Sequence, residues 1–236
     1  MLDRIRQPVH DSKAVDIPVS QRNSAARAVT EQAGTELRAC RNDIPPTFAA
    51  QLYERAVAED VLCYAPADLA TLAEQAFDFM NERKPGAPKI RCENVTLKES
   101  GDRKSMTLIE IVNDDMPFLV DSVMGEIAER RLNVLLVAHP VFAIQRDGAK
   151  LKALSAPAAD GPRESFIHIH IEAINDEAAR ADIVRALDRV LGEVRLAVQD
   201  WRPMLDRVNA LVAELKTNPP PLPVDEIAEA IQFLQW

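Results

Sequence analysis

The feature that most constrains the fold is a junction between a strand and a helix. Met106 to Val112 forms an apolar run, Asp114 and Asp115 interrupt it, and Pro117 follows. Proline is favoured in the first helical turn because its missing N–H would be unpaired there, and a nearby carboxylate accepts the unpaired N–H groups that follow. Apolar residues then recur at three- and four-residue steps. The pattern predicts a strand, a tight loop capped by Asp114 or Asp115, and an amphipathic helix.

Segments with a period of two on either side of this junction predict the rest of the sheet. Residues 90–97 and 106–112 flank a polar turn, so they are expected to pair as a hairpin. Residues 133–145, which include Pro140, and residues 165–173 supply two further strands. The order strand, strand, helix, strand, strand, helix is a circular permutation of the ferredoxin-like βαββαβ unit. It predicts a four-stranded antiparallel sheet of order 1-2-4-3, with helices on one face and strand three at an edge, where proline is tolerated.

Composition divides the chain into four predicted segments. Residues 1–44 form a polar, partly mobile or loosely helical lead segment, and residues 45–86 form a helical segment. Residues 87–216 hold the sheet domain and a long C-terminal helix, and residues 217–236 are a proline-rich linker with the start of a further domain. The predicted fold class is therefore α+β: a ferredoxin-like domain between an N-terminal helical segment and a long C-terminal helix.

Charge and cysteine spacing exclude several classes of protein. A net charge of -9 without basic runs argues against nucleic acid, since phosphate neutralisation needs clustered Lys and Arg. The three cysteines form no CxxC pair, which is typical of reduced thiols rather than of disulfides or a zinc site. No apolar run approaches the roughly 20 residues of a membrane span. We predict a cytoplasmic chain without membrane or nucleic-acid partners.

The sequence also lacks the short motifs of nucleotide-binding and hydrolytic enzymes. Its seven glycines are so widely separated that neither GxGxxG nor a P-loop is present, and GxSxG and HExxH are absent. We therefore predict no catalytic, cofactor-binding or metal-ligating residue in this segment.

Two further patterns favour structural interpretations over functional ones. His168 and His170 share one face of a predicted strand, but a metal site needs a third ligand, and only His139 is available among the other structured histidines. A polar strand face or a partner surface is the favoured interpretation. Trp201, with Met204 and Leu205 at helical spacing, is predicted to be core rather than part of a cofactor site.

Several motifs carry a resemblance to a known family. Residues 115–123 (DMPFLVDSV), which lie within the longer motif 113–123 (NDDMPFLVDSV), resemble the Asp-x-Pro-Gly-Leu-Leu signature of ACT domains, with phenylalanine at 118 where that pattern has glycine. A closer match, spanning residues 60–236, adds motifs along the chain: His139-Pro140, Glu164-Ser165, Val194 to Met204 and Phe233 to Trp236. In order, these motifs resemble the N-terminal region of the large bacterial NAD-specific glutamate dehydrogenases. The resemblance implies a non-catalytic, ACT-like leader of an enzyme that uses NAD further along its chain to convert glutamate to 2-oxoglutarate and ammonia.

A helix N-terminus offers unpaired N–H groups to an anionic ligand, so an amino-acid effector is expected near the junction loop. The predicted effector-binding residues are Asp114, Asp115, Phe118, Asp121, Ser122 and His139. The expected partners are the rest of the same polypeptide, further subunits of a homo-oligomer and the amino-acid effector. Two alternatives stay open: a free-standing amino-acid sensor, and a structural oligomerisation module that binds no ligand.

Overall fold

The computed structural model describes residues 18–98, 105–155 and 161–235. The chain forms two compact units, Met1–Leu191 and Gly192–Trp236, and each is described by itself. No helix in the described ranges is long and apolar enough to cross a membrane.

Among the described residues of the first unit, four helices precede the sheet. They are α1 (Val19–Cys40), α2 (Phe48–Tyr53), α3 (Ala58–Val61) and α4 (Pro66–Asn81). Pro66 begins α4 in the first helical turn, where a missing N–H leaves no hydrogen bond unmade. The α1 helix buries a stripe that includes Ala26, Ala33 and Leu37, so this part of the lead segment is an ordered helix. Whether residues 45–86 form a domain distinct from residues 87–216 stays a prediction.

Within the ranges that the structure describes, the sheet has six strands, all paired antiparallel. They are β1 (Lys89–Thr96), β2 (Ser105–Asp114), β3 (Val134–Ala138), β4 (Val141–Asp147), β5 (Lys150–Ser155) and β6 (Arg163–Glu172). The sheet order is β1-β2-β6-β4-β5, and β3 pairs with β6. Helix α5 (Leu119–Glu129) connects β2 to β3.

The prediction of four strands is wrong, for two local reasons. The long apolar run 133–145 splits at His139 and Pro140 into β3 and β4, because proline has no N–H to donate to the ladder. Both strands lie along β6, with Ala138 opposite His168 and Val141 opposite Ser165. The predicted loop after Arg146 contains β5, which forms a hairpin with β4. Leu151 and Leu154 were too sparse a pattern to predict this strand.

The prediction of helices on one face is also wrong, because both faces of the sheet are covered. The first face carries Met106, Leu108 and Phe142, which share one hydrophobic core with α1 to α4. The second face carries Ile109, Ile111, Ile167, Ile169 and Ile171, all at most 1% exposed. Because α1 to α4 cover the first face, the second face is left to the buried apolar residues of α5 and of the start of α6 (Glu177–Thr217). An ion pair of 2.8 Å between Arg130 of α5 and Asp182 of α6 joins these two helices.

The second unit contains the end of α6 and helix α7 (Val224–Gln235). Pro203 lies within α6. The prediction that Trp201, Met204 and Leu205 are core residues is wrong: their exposed fractions are 61%, 61% and 42%. Helix α7 has no buried residue and presents Phe233 at 76% exposure. The apolar residues at helical spacing in the end of α6 and in α7 therefore form surfaces that no other described residue covers.

Candidate functional site

The junction between β2 and α5 is a tight loop, but its carboxylates do not cap the helix. Phe118 occupies the N-cap position in the left-handed conformation, with φ 69° and ψ 0°, and within the described residues no side chain caps the helix. The prediction of capping by Asp114 or Asp115 is therefore wrong. A non-glycine residue with positive φ is strained. Phe118 thus adopts the conformation that glycine adopts freely, and its ring is 66% exposed.

Asp114 belongs to a cluster of ion pairs that the sequence did not predict. Arg83 is only 2% exposed and donates to Asp114 Oδ1 at 2.8 Å and to Glu164 Oε1 at 2.8 Å. Arg146 donates to both oxygens of Glu164 at 2.7 Å, in the bidentate geometry that favours arginine over lysine. The cluster joins the end of α4 to β2, β4 and β6. Asp114 is thus committed to a structural contact.

The other predicted residues of the loop are more accessible. Asp115 and Asp121 are exposed and Ser122 is half-buried. The Asp115 N–H donates to the Arg163 carbonyl at 3.0 Å, and the Ser122 N–H donates to the Phe118 carbonyl at 3.0 Å. Their role in effector binding stays a prediction.

His139 lies at the break between β3 and β4 and contacts β6. Its Nε2 is 2.5 Å from the hydroxyl of Ser165, which is 1% exposed. Burial lowers the pKa of His139, the negative charge of Asp115 opposes this shift, and the positive charge of Arg55 adds to it. The structure therefore brings both Asp115 and Arg55 within electrostatic range of His139. Because Ser165 is buried in the sheet, the Ser165–His139 pair is closed to an external substrate.

A chain of buried hydrogen bonds crosses the sheet at the two remaining structured histidines. The hydroxyl of Tyr64 is 2.8 Å from His170 Nδ1, and His170 Nε2 is 2.7 Å from His168 Nε2. His168 Nδ1 is 2.8 Å from Glu110 Oε1, and Arg91 donates to the second oxygen of Glu110. Both histidines are 0% exposed, so the prediction of a polar strand face or partner surface is wrong. The helices α1 to α4 cover the face that the sequence left open.

The hydrogen-bond directions in this chain follow from its chemistry. Burial disfavours the charged form of Glu110, but the hydrogen bond and charge of His168 and the charge of Arg91 outweigh it and keep the pKa of Glu110 below its usual range. His168 Nδ1–H therefore donates to the ionised carboxylate. When both imidazoles are neutral, His170 Nε2–H donates to His168 Nε2, and the Tyr64 O–H donates to His170 Nδ1. Every polar atom along this path then has a partner.

The sequence contains an indication of this chain of buried hydrogen bonds. Glu110 interrupts the apolar strand β2 and lies directly opposite His168 in the register. The only two tyrosines of the chain, Tyr53 and Tyr64, occur in the helical segment before the sheet. An acidic residue inside a buried strand requires a partner, and the histidines of a strand with the same period supply it. Within the described ranges no three His, Cys, Asp or Glu residues converge as a metal site would need.

Comparisons with known proteins identify the family. Residues 48–187 match the family described as "Glutamate dehydrogenase, ACT1 domain". The chain is 35% identical over 195 residues to an NAD-specific glutamate dehydrogenase of Halomonas elongata and 27% identical over 197 residues to one of Pseudomonas aeruginosa. Each alignment covers 80% of this chain but only 12% of the relative, so the chain spans about an eighth of the length of these relatives. Because the family match covers more than half of its residues, the chain belongs to the glutamate dehydrogenase ACT1 domain family.

Proposed function

We propose that the chain is the N-terminal, non-catalytic region of an NAD-dependent glutamate dehydrogenase, where it regulates or assembles the parent enzyme. The observation that carries the proposal is that four-fifths of the chain aligns with a small part of much longer NAD-specific glutamate dehydrogenases. The parent enzyme converts L-glutamate, NAD and water to 2-oxoglutarate, ammonia and NADH. NAD binds outside this segment, and the parent is cytoplasmic.

The pairing of the buried polar groups with one another supports a regulatory or assembly role. The buried charges, such as Arg83 with Glu164 and Arg91 with Glu110, pair with one another and stabilise the fold. Ser165 and His168 are enclosed by the sheet and by the helices that cover it. Asp115, which acts electrostatically on His139, is exposed to solvent, and the exposed apolar residues of α6 and α7 suit protein contacts.

The test uses the full-length parent enzyme. We expect deletion of the segment that corresponds to residues 18–191 to leave measurable NADH production from glutamate while changing the response to amino-acid effectors or the subunit stoichiometry. A deletion variant with unchanged effector response and unchanged stoichiometry would exclude both roles. The isolated chain, titrated with NADH and followed by nucleotide fluorescence, is expected to show no saturable binding at micromolar concentrations. Saturable binding would mean that the segment contributes to the cofactor site.

A further inference from the structure

The contact between His168 and His170 has room for only one hydrogen atom. Their Nε2 atoms lie 2.7 Å apart, which is hydrogen-bond distance, and both rings are 0% exposed. A hydrogen bond needs one donor and one acceptor, so one Nε2 carries a proton and the other is bare. Protons on both atoms would set two N–H groups head to head in a buried site, where neither could turn to water. The pair therefore has two compatible protonation states, one neutral and one with a single positive charge.

The position for one additional proton is Nδ1 of His170. In the neutral pair this atom accepts the Tyr64 O–H at 2.8 Å, whereas Nδ1 of His168 already carries a proton that it donates to Glu110. A proton added to His170 Nδ1 reverses the contact with Tyr64, because the new N–H donates to the oxygen atom of Tyr64. A hydroxyl group both donates and accepts, so Tyr64 serves in either state.

A second acceptor for the Tyr64 hydroxyl makes this reversal possible. The oxygen atom of Tyr64 lies 3.9 Å from the sulfur atom Sδ of Met106, a buried residue of β2, and a thioether sulfur is a weak hydrogen-bond acceptor. The O–H that no longer donates to His170 therefore turns to Met106. Each polar atom from Tyr64 to Glu110 keeps a partner in both states, as a buried site must if it is to change its charge without unfolding.

The charged groups around the pair favour one positive charge over two. Glu110 is ionised and faces His168 from β2, and Arg91 of β1 donates to the same carboxylate. Lys89, also on β1, is within electrostatic range of Glu110. The carboxylate attracts the first imidazolium charge, whereas Arg91 and Lys89 oppose it. These groups leave a second imidazolium charge unbalanced.

Other side chains that lie against the pair are uncharged. From α2, the ring of Tyr53 packs edge-on against His168 with centroids 5.9 Å apart, and burial raises the pKa of its hydroxyl well above the usual range, so it stays neutral. The β3 residues opposite His170 and His168 are Leu136 and Ala138. Tyr53 also lines the open cleft between α1, α2 and α3, so solvent comes within one side chain of His168.

We propose that His168 and His170 form a buried, pH-sensitive site that takes up a single proton from solvent. The proton forms a new N–H bond at His170 Nδ1, the Tyr64 O–H turns to Met106, and the two Nε2 atoms share the proton that lies between them. Tyr64 follows α3, whereas both histidines belong to β6, so proton uptake changes a hydrogen bond between the helical layer and the sheet. A regulatory effect of this change rests on the proposed function, but proton uptake itself does not.

The test is nitrogen-15 NMR of the histidine rings in the 236-residue chain, recorded as the pH is lowered. The chemical shift of each ring nitrogen shows whether that atom carries a proton. At high pH we expect protons on His168 Nδ1 and His170 Nε2, with the other two nitrogens bare. As the pH falls, we expect His170 Nδ1 to gain a proton, both rings to respond with one common midpoint, and the two Nε2 atoms to share one proton.

Three results of this titration would overturn the proposal. The first is a different pair of tautomers at high pH. The second is acid unfolding of the chain while Nδ1 of His170 is still bare. The third is a folded chain in which both rings become imidazolium ions, each with its own midpoint.

Two variants test the groups that stabilise the additional proton. Glu110→Gln removes the carboxylate that attracts the charge, and Tyr64→Phe removes the acceptor for the new N–H of His170. Each should weaken proton uptake about tenfold, which lowers the midpoint by about one pH unit. The matched control is Glu129→Gln, an exposed carboxylate at the end of α5, which should change the proton affinity less than twofold. Midpoints that stay unchanged in both folded variants would contradict the proposed position of the proton.

The full-length parent enzyme separates this inference from the proposed function. If its subunit stoichiometry or effector response changes with the midpoint of the histidine pair, and Glu110→Gln shifts that pH dependence, both stand. If the pair takes up its proton but Glu110→Gln leaves the pH dependence of the parent enzyme unchanged, the inference stands and regulation by this proton fails. If the folded chain takes up no proton at the pair, the inference fails, and deletion of residues 18–191 still tests the proposed function.

Discussion

At the scale of single residues, the two tyrosines provide a matched comparison. The hydroxyl of Tyr64 is hydrogen-bonded to His170, whereas the hydroxyl of Tyr53 is buried without a partner among the described residues. Tyr64→Phe removes the hydrogen bond to the buried His170 Nδ1 and is expected to lower the free energy of unfolding by about 1–3 kcal/mol. Tyr53→Phe removes a hydroxyl that makes no hydrogen bond and should be neutral or stabilising. Urea denaturation measures both, and equal losses in the two variants would contradict the assigned hydrogen bonds.

Glu110 gives a prediction about pH. Its folded-state pKa lies below the ordinary value of 4.5, so its carboxylate stabilises the fold above that pH, and this contribution is lost as pH falls through the folded-state pKa. Glu110→Gln should therefore destabilise the protein at pH 7 by about 1–3 kcal/mol, because an uncharged amide cannot replace the charge-assisted contacts that the carboxylate makes with His168 and Arg91. The difference in the free energy of unfolding between the variant and the unsubstituted protein should become smaller below pH 4.5.

Denaturant unfolding at several pH values measures this difference. The matched control is Glu129→Gln, which changes an exposed carboxylate at the end of α5 and should have little effect at any pH. A difference in the free energy of unfolding between Glu110→Gln and the unsubstituted protein that stays constant from pH 7 to pH 3 would show that folding does not lower the pKa of Glu110.

At the scale of secondary-structure elements, Arg83 and Arg41 allow the stabilisation from buried ion pairs to be compared with that from surface ion pairs. Arg83 joins the end of α4 to β2 and β6 through carboxylates of Asp114 and Glu164. Arg83→Ala should lower the free energy of unfolding by about 3–5 kcal/mol, because it leaves the buried Glu164 with one cation instead of two. Arg41 contacts three carboxylates at the surface, and solvent screens these contacts, so Arg41→Ala should lower it by less than about 1 kcal/mol. Thermal or urea unfolding that ranked Arg41→Ala above Arg83→Ala would contradict this assignment.

The elements also show what sequence patterns determine. The β1–β2 hairpin and helix α5 depend on local periodicity and were predicted from the sequence. The break at Pro140 was not, because residues 133–145 were predicted as one strand. Which layer covers each sheet face depends on contacts between distant segments. The period of two in β6 correctly placed His168 and His170 on one face, but it carried no information on Tyr64, which lies more than a hundred positions away. The ion pairs of Arg83 with Asp114 and Glu164 were not predicted either, because they also join segments that are distant in the sequence.

Some residues of the candidate site were predictable from local sequence, and others were not. Asp115, Asp121 and Ser122 were predicted from the junction motif, which is local, and their role in effector binding stays a prediction. Arg55 was missed, because only the folded chain brings the end of α2 within electrostatic range of His139. The left-handed conformation of Phe118 was also missed, because a phenylalanine gives no indication of positive φ.

At the scale of the whole molecule, the exposed apolar residues of the second unit lead to the last prediction. Trp201, Met204, Leu222 and Phe233 are each more than half exposed on α6, on α7 or in the linker between them. Exposed apolar residues on amphipathic helices are typical of surfaces that bind another protein. We therefore expect the chain to self-associate through this unit, with a concentration-dependent sedimentation coefficient between 1 and 100 μM.

The substitutions that test this expectation act on the exposed faces alone. Trp201→Asp combined with Phe233→Asp places charges where a partner surface would have to exclude water, and should hold the chain in its monomeric form. Val19→Asp is the matched control, because Val19 is an apolar residue 64% exposed at the start of α1, outside the second unit. Self-association that the double variant retains, or that Val19→Asp abolishes, would place the interface elsewhere. A chain that stays monomeric at 100 μM would contradict self-association and leave the remainder of the parent polypeptide as the partner of this face.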